Sequence, residues 1–192
     1  ASDYIRQLCT ASKTSLEHLF IVPGNHDVER GGDDRTKIID RITDWKTDYY
    51  KSNDGAISSS DFEVLKSGQT SFHSFVSELL GTDRAKRYSA PHFSVQTEHF
   101  NVLHLDTTLT YGNGHDRDFI IGTQALLDAL DECDPNMPTI LLTHYSFDFL
   151  MMNERDQVET ILNEYHVQLW IAGHEHENLI RWQREKFIEC QS

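Results

Sequence analysis

The chain has 192 residues, 38% hydrophobic and 25% charged, the balance of a globular domain large enough to bury a core. Lys and Arg number 17 against 31 Asp and Glu, a net charge of −14 that argues against bulk binding to nucleic acid. No apolar run approaches the roughly 18 residues of a membrane span, and Ala1-Ser2-Asp3-Tyr4 does not open a signal peptide.

In chain order, Tyr4 to Lys13 places Tyr4, Ile5, Leu8 and Ala11 on one face and predicts a helix. Leu19 to Val22 predicts a short strand ended by Pro23-Gly24. Glu29 to Thr36 is a polar loop, Lys37 to Lys51 a helix, and the Ser-, Asn- and Gly-rich stretch 52–60 a mobile surface loop. Asp61 to Leu80 carries a helical apolar stripe, with Gly68 as a weak point and Gly81 as its stop. Phe93 to Gln96 and Phe100 to Asp106 predict a hairpin turning near His99, followed by a polar loop at Thr110 to Asp118. Then come a helix at Thr123 to Glu132, a buried strand at Thr139 to Thr143, a helix at Glu154 to Tyr165 and a buried strand at Val167 to Ala172. Leu179 to Trp182 and Lys186 to Cys190 close the chain as a hairpin around Gln183-Arg184-Glu185. The alternation of strand and helix predicts a layered α/β domain spanning 1–192. Cys9, Cys133 and Cys190 form no Cys-x-x-Cys pair, which points to a reducing, cytoplasmic setting.

Three polar segments each follow an apolar strand: Gly24-Asn25-His26-Asp27, His144-Tyr145-Ser146 and Gly173-His174-Glu175-His176. Ligands collect beyond the carboxyl ends of strands in open α/β sheets, where side chains from distant segments converge. Neutral imidazole is a ligand for borderline transition metals, and the Asn25 amide can add an oxygen. His18, His73, His92, His99 and His166 lack this setting and read as packed or surface residues. His115-Asp116 reads as ordinary loop polarity. His104 and Asp106 alternate on one strand, where a supporting shell competes with plain core packing.

In this order, Val22-Pro23-Gly24-Asn25-His26-Asp27, His144-Tyr145 and Gly173-His174-Glu175-His176 resemble the calcineurin-like metallophosphoesterase superfamily, from about Leu19 to Glu177. The resemblance implies a layered β-sandwich flanked by helices. It also implies hydrolysis of phosphate mono- or diesters by a hydroxide held between two divalent or trivalent metal ions, with Mn, Fe and Zn the foremost candidates. It assigns Asn25, His144 and His174 to the second metal and His176 to the first. His26 would contact the phosphoryl group and protonate the leaving group, with Asp27 orienting it.

The superfamily's first two motifs, Asp-x-His and a Gly-Asp carrying the bridging aspartate, are missing. No Asp-x-His occurs, and the single Gly-Asp, Gly32-Asp33, stands after Gly-Asn-His-Asp in a polar loop. A domain cut on its N-terminal side explains this, and the chain opens without Met, inside a predicted helix. The expectation is therefore a phosphate-ester hydrolase in the intact protein, with weak metal binding and no activity in this chain alone. The alternative is a module of the same fold that binds a phosphorylated ligand without turnover. A metallo-β-lactamase-like site is disfavoured, because His174-Glu175-His176 is followed by Glu177-Asn178 rather than by Asp-His.

Overall fold

Burial that varies along the two central parallel strands decides which face of the sheet the helices cover. A computed structural model describes residues 1–45, 59–112, 117–176, 179–183 and 187–191. Helix α1 (Ser2–Ser12) ends where Lys13 takes a left-handed conformation, φ 57°, and Thr14 N–H donates to Cys9 O. Its Tyr4 and Leu8 stay exposed, and Arg6 ties it to the carbonyls of Glu78 and Leu79.

Leu19 to Val22 does not become a strand. It runs extended between two single-turn 3-10 segments, Leu16–His18 and Asn25–Asp27, with no ladder among the described residues. Side-chain donors take the carbonyls that a neighbouring strand would have used. Arg84 donates to Leu16 O and Leu19 O, and the Tyr88 hydroxyl donates to Ile21 O.

Helix α2 (Asp33–Trp45) begins four residues before the expected Lys37, because Asp33 and Asp34 suit the positive end of a first turn. The predicted loop at 52–60 lies largely outside the described residues, and Ser59 and Ser60 already belong to α3. The single helix expected over Asp61 to Leu80 is two, α3 (Ser59–Ser67) and α4 (Thr70–Leu80), parted at Gly68-Gln69. Gly68 O accepts from Glu29 N–H at 2.7 Å instead of continuing the helix. Helix α4 stops at Gly81, φ 87°, as predicted, and the short α5 (Thr82–Ala85) leads into the sheet.

The sheet has six strands in the order β1-β2-β3-β4-β6-β5. Strands β1 (His92–Gln96) and β2 (Asn101–Leu105) form the predicted hairpin. Helix α6 (Thr123–Asp131) leads to β3 (Thr139–Thr143), and α7 (Met152–Glu164) leads to β4 (Val167–Ala172). β5 (Leu179–Gln183) and β6 (Phe187–Gln191) are the second antiparallel pair, their turn outside the described residues. β2, β3, β4 and β6 run parallel.

Leu103, Leu105, Leu141, Trp170 and Ala172 meet Leu126 and Leu130 of α6 and Val158 and Leu162 of α7 in the main core. Glu154, in the first turn of α7, is buried and accepts the N–H groups of Ile121 and Gly122 at 2.8 and 2.7 Å, pinning the start of α6. On the other face Phe20 and Phe93 pack on His104, and Ile21 joins Phe72, Val76 and Tyr88. Ile140 and Leu142 are only half-buried there and Ile171 is exposed, so β3 and β4 are covered less fully than their unbroken apolar runs predict. No helix among the described residues is long and apolar enough to cross a membrane.

Candidate metal centre

The register of the parallel strands carries the predicted ligands to one end of the sheet. His104 pairs with Leu142 and Thr143 pairs with Ala172, so Asp106, His144 and Gly173 leave their strands at the same level. Gly173 N–H donates to His144 O at 3.1 Å and carries the rung one step beyond the strands. There the backbone turns sharply, with His174 at φ 77° and His176 at φ 54°, conformations uncommon for a side chain of this size.

Asn25 reaches this point from the other end of the sequence. Its Oδ1 lies 3.2 Å from His144 Nε2, across 119 residues. Gly24 makes the approach possible, since a Cβ there would stand 3.2 Å from His144 Cε1. Asp27 accepts the Gly24 N–H at 2.8 Å and closes the turn. Among the described residues this backbone contact is the hydrogen bond that Asp27 makes, and it holds the turn that carries His26. His26 and His176 are exposed at the mouth, and Asn25, His144 and His174 are half-buried below them.

The rings of His144 and His174 stand edge to face, centroids 5.1 Å apart. Burial first, and then His174, His26 and His176, together push the His144 pKa down to about 4. His144 is therefore neutral near pH 7, the form that ligates a metal. Asn25, His144 and His174 together offer one amide oxygen and two imidazoles, a set suited to Mn, Fe or Zn. The Asn25 amide and the His144 ring carry no charge near pH 7. Among the described residues no three His, Cys, Asp or Glu side chains are grouped to hold one ion. The donors thus fit one side of a metal site.

Several supporting residues carry no motif in the sequence. Tyr145 N–H donates to Thr107 Oγ1 at 3.0 Å. Thr143 Oγ1 donates to Tyr145 O and accepts from Trp170 Nε1, both at 2.7 Å, which fixes the segment bearing His144. The Tyr145 ring stacks on Phe119 at 4.0 Å and meets His174 edge to face at 4.5 Å, and Phe149 touches His174 from another side at 5.1 Å. The Thr residues are too common a type to stand out, but the run Tyr145, Phe147, Phe149 beside a candidate ligand was a visible hint of an aromatic support.

Asp106 belongs to a different network. It is buried and accepts from Gln69 Nε2 at 2.7 Å and from Thr108, with Lys66 Nζ at 3.5 Å. Burial lowers the Lys66 pKa, and Asp106 opposes that shift. His92 bridges Ile121 O and Asp106 N–H, a structural histidine as predicted. His115-Asp116 lies outside the described residues.

Comparison with known proteins gives the family. The profile of the calcineurin-like phosphoesterase family matches residues 1–178. The chain is 24% identical over 182 residues to a metallophosphoesterase-like protein, YydB, of Bacillus subtilis, covering 92% of this chain and 37% of that relative. The chain thus spans little more than a third of the relative's length. No solved structure matches. With mixed α/β layers, imidazoles gathered at the strand ends and a profile match along most of its length, the chain belongs to the calcineurin-like phosphoesterase family.

Proposed function

We propose that the protein containing this chain hydrolyses phosphate mono- or diesters with two bound transition-metal ions, and that this chain supplies three ligands of one ion and one ligand of the other. The convergence of Asn25 on His144, beside His174, carries the reading. Bound ions supply Lewis acidity toward phosphoryl oxygens and lower the pKa of water. His144 and His174 ligate as neutral rings, held by Tyr145 and its partners Thr107 and Thr143. His176 serves the other ion. His26, exposed at the mouth, contacts the phosphoryl group and gives a proton to the leaving oxygen. Asp27 acts by holding the turn that presents His26.

A gathering of amide and imidazole side chains also suits a second reading, a module that binds a phosphorylated ligand without turnover. Metal analysis and hydrolysis of 4-nitrophenyl phosphate and its bis ester by the full-length protein separate the two. The enzyme reading expects turnover that His26→Ala lowers by about 100-fold or more with metal content unchanged. Equal loss of metal in that variant would make His26 a ligand instead. The chain alone should bind Mn, Fe or Zn weakly, and two tight sites in a calorimetric titration of it would overturn that expectation. Three free cysteines fit a reducing compartment such as the cytoplasm.

A further inference from the structure

The metal centre is backed by a wall of aromatic rings. Tyr111, Phe119, Tyr145 and Phe149 pack on one another, and Tyr145 and Phe149 both touch His174. Two arginines lie over this wall. The Arg117 guanidinium carbon is 4.9 Å from the centre of the Phe149 ring, and that of Arg30 is 4.7 Å from the centre of the Tyr111 ring. Arg117 is therefore one ring removed from His174, and Arg30 two.

Both side chains are exposed, and neither makes a hydrogen bond or ion pair among the described residues. Other arginines behave differently. Arg6, Arg35, Arg84, Arg87 and Arg155 donate to backbone carbonyls, and Arg41 pairs with Asp61. In a chain with 31 acidic residues and a net charge of −14, two cations with no such partner among the described residues rest on one aromatic cluster. A guanidinium resting on a ring keeps its N–H donors for a planar or tetrahedral oxyanion, which it holds with two bonds at once. The metal ions would take the charge of the reacting phosphate. Any further anionic group on the substrate would meet an acidic surface unless local cations received it.

We propose that Arg30 and Arg117 form an anion clamp at the rim of the metal centre, and that the substrate carries a second oxyanion, carboxylate or phosphate, beside the ester that is cleaved. The clamp rests on the phosphoesterase reading for its location, and its test separates the two.

The probes are n-propyl phosphate, 3-phosphooxypropanoate and 1,3-propanediol bisphosphate, which share a three-carbon chain and differ in the far group. Binding of each to the metal-loaded full-length protein is measured by calorimetry, and hydrolysis by phosphate release. At least one of the two probes with a second anionic group should bind roughly tenfold more tightly than n-propyl phosphate, the scale of one charge-assisted contact. Which one does so identifies the far group. The double variant Arg30→Ala, Arg117→Ala should lose that preference while keeping its affinity for n-propyl phosphate, and the double Lys variant should keep part of it. Equal binding of all probes, or a preference that survives in the Ala variant, overturns the clamp. A preference that depends on the arginines without hydrolysis of any probe upholds the clamp and sinks the phosphoesterase reading. Hydrolysis of all three without preference does the reverse.

Discussion

His104 and His144 are both kept neutral chiefly by burial, yet they serve different ends. His144 stands half-buried at a strand end with its Nε2 toward Asn25. His104, 2% exposed, lies inside β2 and stacks on Phe93 at 4.4 Å, so its supporting role at the metal centre gives way to core packing. Burial pushes its pKa from 6.5 down to about 3. Above pH 6.5 both folded and unfolded rings are neutral, and stability is unaffected. As pH falls from 6.5 toward 3, only the unfolded ring gains a proton, so stability is lost through that window. By pH 4 the loss is on the order of 3 kcal/mol. His104→Phe, which keeps the stacking and removes the titration, should flatten the acid limb, as read from urea midpoints between pH 7 and 4. An unchanged limb would assign the acid sensitivity to other groups. The sequence marks both histidines as strand-associated, and only their position relative to the strand end separates candidate ligand from core.

Element boundaries divide into those read from the chain and those set from elsewhere. Strands β3 and β4 fall where their apolar runs lie, and α4 stops at its glycine. The break between α3 and α4 interrupts an apolar stripe that periodicity carries straight through. Its cause lies in partners outside the helix. The buried Arg35 donates to the carbonyls of Leu65, Leu109 and Tyr111, and Glu29 N–H takes Gly68 O. A Cβ on Gly68 would stand 3.2 Å from the Arg35 guanidinium carbon and 3.3 Å from Glu29 O. Helix propensity alone gives Gly68→Ala a gain of roughly 0.5–1 kcal/mol. The crowding predicts a loss instead, about 1–2 kcal/mol in urea unfolding, because Arg35 cannot move without leaving buried carbonyls unpaired. A stabilised variant would show that the break is soft. The missing strand at Leu19 to Val22 has a similar origin, since Arg84 and Tyr88 are remote in sequence from the carbonyls that they occupy.

For the whole molecule, the parallel sheet and its functional end were legible because apolar runs and polar, histidine-bearing turns alternate along the chain. The level rung through Asp106, His144 and Gly173 was not, since strand order and register depend on pairing. The acidic surface acts at this scale as well. With a net charge of −14, self-repulsion opposes the folded state at low ionic strength and is screened by salt. The melting temperature of the chain should rise by a few degrees as NaCl goes from about 0.02 to 0.3 M, where the Debye length falls below about 10 Å. A flat response would place the charges too far apart to repel.

The contact between Asn25 and His144 spans 119 residues. Joining such distant segments requires closing a long loop before any local contact rewards it, so this corner forms late, after the hairpins and their adjoining helices. Under the proposed ligand assignment, metal affinity would be a kinetic reporter. A ligand set completed only when Asn25 meets His144 would register that late closure, and its loss is expected before global unfolding.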